Sequence, residues 1–357
     1  MILFNFSSNT SGGGMYHAHK FINEISNYFQ KDEIIIVINN EIILNNIDFT
    51  VFKVNSPAKS LKSRKIILGI VSTYNVDVVY SMAGPSYINF NCIHIMGISN
   101  AWLLNVNTKL LYSTFKWSFV KEYLRIKWSR YNCKNAADIY VFQTIESMRS
   151  FNKELKLNPQ KSVHIPNAYI DRSLLKNKPI LLKKGHISIV IPSSFYPHKG
   201  LDDVIWLIKK MGNELNNKYC FFFTVPNEYE NKYLIKIKNL SKKIKIINIG
   251  KYNPEEEFSI MSQCDIILLP SKLETFSSSH LEAALTEKII ISRKEPFATN
   301  ICGEDAYYFS SREDLFKLFK DINYLTRTKT KTLNSFISYN QRCEMIVNLI
   351  KKNSNNK

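Results

Sequence analysis

"CDIILLPSKLETFSSSHLEAALTEKIIISR", residues 264–293, decides the fold. Its opening run, "CDIILLPS", is apolar without alternation, which predicts a strand buried on both faces, as in a parallel sheet covered by helices. The chain then turns through serines, and Ser277 or Ser278 is placed to cap a helix running from about His280. A second apolar run, "KIIISR" (288–293), completes a strand–helix–strand unit. Glu274 sits where the first strand ends, and Glu282 stands eight positions later, in the first turns of the helix. A carboxylate favoured by the helix dipole accounts for Glu282 and leaves Glu274 unexplained. Next to a phosphate site, carboxylates repel the ligand, so both glutamates are read as acceptors for sugar hydroxyls, the way carboxylates hold ribose diols.

The same rhythm extends in both directions. The first half carries "ILFNF" (2–6), "EIIIVI" (33–38), "VDVVYSM" (76–82), "CIHIMG" (92–97), "ADIYVFQ" (137–143) and "SVHIPN" (162–167). The second half carries "ISIVIPSS" (187–194), "YCFFFTV" (219–225), "KIKIINIG" (243–250), the two runs above and "DAYYFS" (305–310). Helix-length segments such as 200–215 and 254–263 lie between them. Two sets of such units predict an α/β chain of two doubly wound domains, with ligands at the carboxyl ends of the strands. The polar stretch at 168–186 marks the boundary. The expected division is 1–170, 171–335, and a C-terminal helix with a frayed tail over 336–357.

Composition narrows the class. The 45% hydrophobic and 13% aromatic content supplies two cores and excludes global disorder. No run of about 18 apolar residues lacks a charge, so no membrane span is expected. The start, "MILFNFSSNTSGGG", has no basic n-region, which argues against a signal peptide. Six cysteines without CxxC spacing suit a reduced, cytoplasmic protein with neither structural zinc nor a disulfide framework. The net charge of +18 favours phosphate-bearing partners: nucleic acid, anionic lipid or small phosphorylated substrates. No helix-turn-helix, RNP or finger pattern is present, so no specific nucleic acid is expected.

Several further features bear on chemistry. Gly12, Gly13 and Gly14 follow the first strand, either as a flexible turn or as a loop whose amides meet an anion. Their spacing is not GxGxxG. Lys199-Gly200 stands between a strand and a helix, where a lysine can face a phosphate. Asp202-Asp203 reads as a helix start, and no DxD metal site is evident. Residues 108–134 carry seven basic side chains against Glu122, interleaved with Trp117, Trp128 and other aromatics. That segment is either a helix packed on the first sheet, a surface for an anionic membrane, or both.

The stretches "FYPHKGLDD", 247–292 and "GEDAYYFS" resemble, in order and spacing, the nucleotide-sugar domain of retaining glycosyltransferases of the GT4 family. In the first half, the glycine loop, "ADIYVFQTIESM" and "VHIPNAYID" resemble that family more weakly. The resemblance implies the GT-B fold, two Rossmann-like domains facing a cleft, with the C-terminal helix crossing back to the first. It implies that Lys199 binds the donor diphosphate, Glu282 the ribose and Glu274 the transferred sugar. Amides of Thr275, Phe276, Ser277, Gly13 and Gly14 are implied to contact sugar and phosphates, and His94 to lie beside the sugar at the end of the fourth strand. It implies no cofactor and no metal. The family's arginine, five positions before the lysine, is here Ser194, and its Gly-Phe-Gly is here Thr-Phe-Ser. His198 or a residue of the first domain is expected to compensate. The arginine-free "YPHK" resembles the branch serving bacterial surface polysaccharide (O-antigen or capsule), which implies a lipid-linked glycan acceptor and a place at the inner membrane face. The competing expectations are a nucleotide-sugar epimerase of the same fold, a basic nucleic-acid-binding protein and an inactive scaffold.

Overall fold

The structure, a computed structural model, describes the chain except residues 11, 45–47, 105–106, 194–195, 215–217, 228–233, 235–243, 327–335 and 355–357. It divides into two units: Met1–Ala168 with Ile337–Lys357, and Tyr169–Phe336.

In the first unit, seven strands form one parallel sheet: β1 (Ile2–Phe6), β2 (Ile34–Asn39), β3 (Thr50–Val54), β4 (Val78–Ser81), β5 (Ile93–Ile98), β6 (Ile139–Phe142) and β7 (Ser162–His164). Their order is β3-β2-β1-β4-β5-β6-β7. The continuous apolar runs have the predicted meaning. Phe4, Phe6, Ile36 and Ile38 enter one core while Leu3, Ile35 and Val37, one residue out of phase, enter the other. β3 is a strand that the apolar runs do not reveal. "TVFKV" is an edge strand pairing only with β2 and is mostly solvated, so its pattern is polar and mixed. The C-terminal helix Tyr339–Ser354 packs Cys343, Ile346, Val347 and Ile350 into the same core as Phe4 and Ile36.

The second unit holds six parallel strands, β8 (Ile187–Ile191), β9 (Tyr219–Phe223), β10 (Ile244–Asn248), β11 (Ile266–Leu269), β12 (Ile289–Arg293) and β13 (Tyr307–Phe309), in the order β10-β9-β8-β11-β12-β13. Again both faces are covered: Ile189, Ile191, Phe221, Phe223 and Leu268 on one side, Val190, Phe222, Ile267 and Leu269 on the other. Helix Leu201–Glu214 starts with Asp202 and Asp203, as expected, and these tie down Lys272, Arg293 and Arg312. Among the described residues, no helix is long and apolar enough to cross a membrane.

Residues 108–134 form helix Thr108–Phe115, a 3-10 turn, and helix Phe119–Cys133. Ile126, Ser129, Arg130 and Cys133 face inward. Trp117, Val120, Leu124 and Tyr131 lie in solvent among exposed Lys116, Lys121, Arg125 and Lys127.

Candidate active site

In a doubly wound sheet, the strand order reverses at one place, and loops leaving the flanking strands part there to make a crevice. In the second sheet that place lies between β8 and β11. The segments leaving these two strands line one small cavity: Pro192, Ser193 and Lys199 after β8, then Pro270, Ser271 and Glu274 after β11, with Ser277, Ser279 and His280 beyond.

Local backbone geometry fixes Lys199. It ends the 3-10 turn Pro197–Lys199, and its amide donates to the Tyr196 carbonyl at 2.9 Å. The Lys272 amide donates to the His198 carbonyl at 2.8 Å, joining the two loops. Gly200, at φ +71°, lets the chain turn into helix Leu201–Glu214 while passing against Pro270. The Lys199 ammonium pairs with Glu274 Oε1, to which the Ser271 hydroxyl also donates at 2.9 Å. Thus the lysine and first glutamate expected from the sequence do meet.

The turn after Glu274 is pinned from below. Ser277 stands at the N-cap position of helix Ser278–Ala284 without a side-chain capping bond; its hydroxyl instead meets His280 Nδ1 at 2.7 Å. Nε2 of the same ring meets the Ser292 hydroxyl at 2.9 Å. Because Ser292 donates to the Arg293 carbonyl, it accepts from Nε2–H, which leaves Nδ1 to accept from Ser277. Burial lowers the His280 pKa to about 3, so the ring is neutral and holds the turn as a spacer. Thr275 and Ser277 are buried in this turn, and Phe276 packs against the core below it.

Glu282 is 1% exposed and is not among the residues lining the cavity. Its Oε1 accepts from the Ile170 amide at 3.3 Å, and Oε2 pairs with the Arg172 guanidinium at 3.0 Å. Burial raises its pKa, and Arg172 opposes that rise. Arg172, whose guanidinium lies 4.2 Å from the Phe258 ring centroid, comes from a stretch that reads only as a polar linker. Glu257 was equally invisible, one of three consecutive glutamates at a helix start. It is buried and accepts from the Tyr252 hydroxyl at 2.8 Å and the Ser279 hydroxyl at 2.5 Å.

Burial pushes the Glu257 pKa from the usual 4.5 to about 7; its two hydrogen bonds oppose the rise and the Glu282 charge adds to it. Between those values the folded chain keeps a proton that the unfolded chain has lost, so this group's stabilising contribution fades as pH rises through the window. Glu257→Gln carries no such proton. Above about pH 8 the variant should be more stable than the parent by up to about 3 kcal/mol, and the parent's loss of stability across the window should flatten, both read by urea unfolding.

The remaining expected residues lie elsewhere. Gly13 and Gly14 belong to the first unit, in the first turn of helix Gly12–Ile25, where Asn9 Nδ2 donates to the Gly14 carbonyl at 2.9 Å. Ser194 lies outside the described residues. His94 requires a correction. It is the second residue of β5, which is the fifth strand once β3 is counted, and so it sits near the amino end, away from where ligands collect. It is 2% exposed, Nδ1 meets the Ala136 carbonyl at 2.6 Å, and Nε2 meets the Ser81 hydroxyl at 2.9 Å. With both nitrogens engaged and its pKa lowered to about 4 by burial, His94 joins strands rather than facing a substrate. His198 carries no charge in the ligand-free chain. Burial and then neighbouring Lys199 hold its pKa down, at about 4, against the pull of Glu274.

Known proteins share part of this chain's sequence pattern and its fold. The family model described as "Glycosyl transferases group 1" matches residues 175–342, slightly less than half the chain. The comparison with curated proteins found no match. Among solved structures, HepE from Anabaena, in complex with UDP, is 14% identical with a TM-score of 0.66, covering 98% of this chain and 99% of that one. Sucrose-phosphate synthase from Thermosynechococcus elongatus is 10% identical with a TM-score of 0.68, covering 99% and 96%. WaaG, a glycosyltransferase involved in lipopolysaccharide biosynthesis, is 11% identical with a TM-score of 0.65, covering 99% and 98%. The architecture is therefore GT-B, two Rossmann-like domains. Over residues 175–342 the chain is similar to glycosyl transferases of group 1, and with the solved structures it shares the fold.

Proposed function

We propose that the protein is a retaining glycosyltransferase that moves a sugar from a nucleotide-diphosphate donor to a hydroxyl of a lipid-linked glycan in surface-polysaccharide synthesis. The observation that carries this reading is the Lys199–Glu274 pair at the switch point of the second sheet, with the Ser271 hydroxyl beside it. The carboxylate there takes sugar hydroxyls and the ammonium takes the diphosphate. The bond between anomeric carbon and phosphate oxygen breaks through an oxocarbenium-like state, and its electron pair stays on the diphosphate. The acceptor oxygen attacks from the same face and its proton passes to the departing phosphate oxygen. Catalysis is then positioning plus stabilisation of the leaving charge, for which Lys199 and nearby amides suffice without a divalent ion.

The basic, aromatic face around Trp117, Leu124 and Tyr131 supports a peripheral place on an anionic membrane, where a lipid-linked acceptor resides. Co-sedimentation with anionic but not neutral vesicles, lost at high salt, checks it; equal binding to both contradicts it.

A melting screen with UDP, GDP, dTDP and ADP tests the donor reading. One of them should raise the melting temperature by mass action, and its sugar conjugates are the donor candidates. No shift with any of the four contradicts the reading. Incubating that donor without acceptor separates the epimerase alternative, since an epimerase changes the sugar alone and the transferase leaves it intact.

A further inference from the structure

Both glutamates expected to hold sugar hydroxyls already have a cation before any ligand arrives. Lys199 is paired with Glu274 and Arg172 with Glu282, so two cations face two carboxylates. The neighbouring cations are committed elsewhere: Lys272, Arg293 and Arg312 all converge on Asp202 and Asp203. His198 is neutral. A diphosphate brings at least two negative charges into this arrangement, and a buried anion needs cations and donors of its own.

We propose that each glutamate trades its cation for sugar hydroxyls when the donor enters, and that Arg172, released from Glu282, becomes the second cation on the diphosphate. This rests on the nucleotide-sugar reading above and names the residue that replaces the arginine absent at position 194. The geometry permits the exchange on both sides. The two carboxylates are largely enclosed, with side-chain exposures of 1% for Glu282 and 14% for Glu274, while Arg172 and Lys199 keep 25% and 23%. Glu282 Oε1 stays anchored by the Ile170 amide, so the carboxylate remains aimed when Oε2 changes partner. A ribose diol offers two O–H donors where the guanidinium offered one N–H, so the buried carboxylate is not left unsatisfied. Arg172 springs from the short turn Arg172–Leu174, held by Asp171, which accepts from the Ser173 amide at 2.9 Å. Its guanidinium lies 4.2 Å from the Phe258 ring centroid, a contact that does not depend on Glu282.

The test compares Arg172→Gln with the parent protein, using the nucleoside diphosphate chosen by the melting screen and its own nucleoside. Calorimetry reads the diphosphate and ligand-observed NMR the weak nucleoside. Affinity for the diphosphate should fall about tenfold or more in the variant, the loss of a charge-assisted contact. Affinity for the nucleoside should hold or rise, because its competitor for Glu282 is gone. Arg172→Lys should keep most of the diphosphate affinity. A role confined to neutralising Glu282 predicts equal losses for both ligands. Equal losses, including to below detection, or no loss for either ligand would overturn the exchange. If the parent binds no nucleoside diphosphate, the function reading falls and the exchange with it; if the parent binds and the variant is unaffected, only the exchange falls.

Discussion

Lys199→Ala should lower turnover with a nucleotide-sugar donor about a hundredfold, as losing one group that stabilises developing negative charge does. Among the described residues lining the cavity, Lys199 is the sole cation. Fold damage is not the expected cause. Glu274 keeps the Ser271 hydroxyl as a donor, and its side chain is 14% exposed, so water reaches it. The melting temperature should therefore change by only a few degrees while turnover collapses, a split that separates the chemical role from a structural one. Steady-state kinetics and melting on the same preparation read both quantities. Near-normal turnover removes Lys199 from the mechanism.

Gly200→Ala should cost about 4 kcal/mol or more, through two effects that add. At φ +71° an alanine is strained, and its Cβ would stand 2.1 Å from the Pro270 carbonyl oxygen and 2.9 Å from the carbonyl carbon. Both are backbone atoms in the segment leaving β11, so relief requires the Lys199 loop and the Pro270 loop to separate. Stability and turnover should fall together, with a drop in melting temperature of roughly 10 °C for a unit of this size. Gly13→Ala provides the contrast. A Cβ there meets nothing within 4 Å, and the position is helical, so stability should hold or rise by about 0.5–1 kcal/mol. Urea unfolding of both variants measures the difference.

What the sequence disclosed follows from how strongly each feature shapes local composition. Double winding was legible because β1, β2, β8 and β11 are covered on both faces and therefore read as unbroken apolar runs. β3 was not, because a solvated edge strand has no such run. Lys199 and Glu274 were legible as residues at strand ends, where chain direction alone predicts a ligand. The partners that hold the site together were not. Arg172 and Glu257 lie 110 and 22 residues from the side chains they join, Glu282 and Ser279, and nothing in "IDRSLL" or "PEEEF" distinguishes a buried charge from a solvated one. His94 misled for a related reason. A histidine in an apolar run marks a strand, but only the register of β5 shows which end it occupies.

On the proposed function, Lys199 and Glu274 hold the diphosphate and sugar of a nucleotide-sugar donor at the switch point between β8 and β11. A crystal structure with the nucleoside diphosphate selected by melting tests it most directly. Phosphate oxygens should lie within hydrogen-bond reach of Lys199 Nζ, with the Lys199–Glu274 contact loosened. A bound nucleotide whose phosphates lie away from Lys199, with that ion pair unchanged, would contradict it.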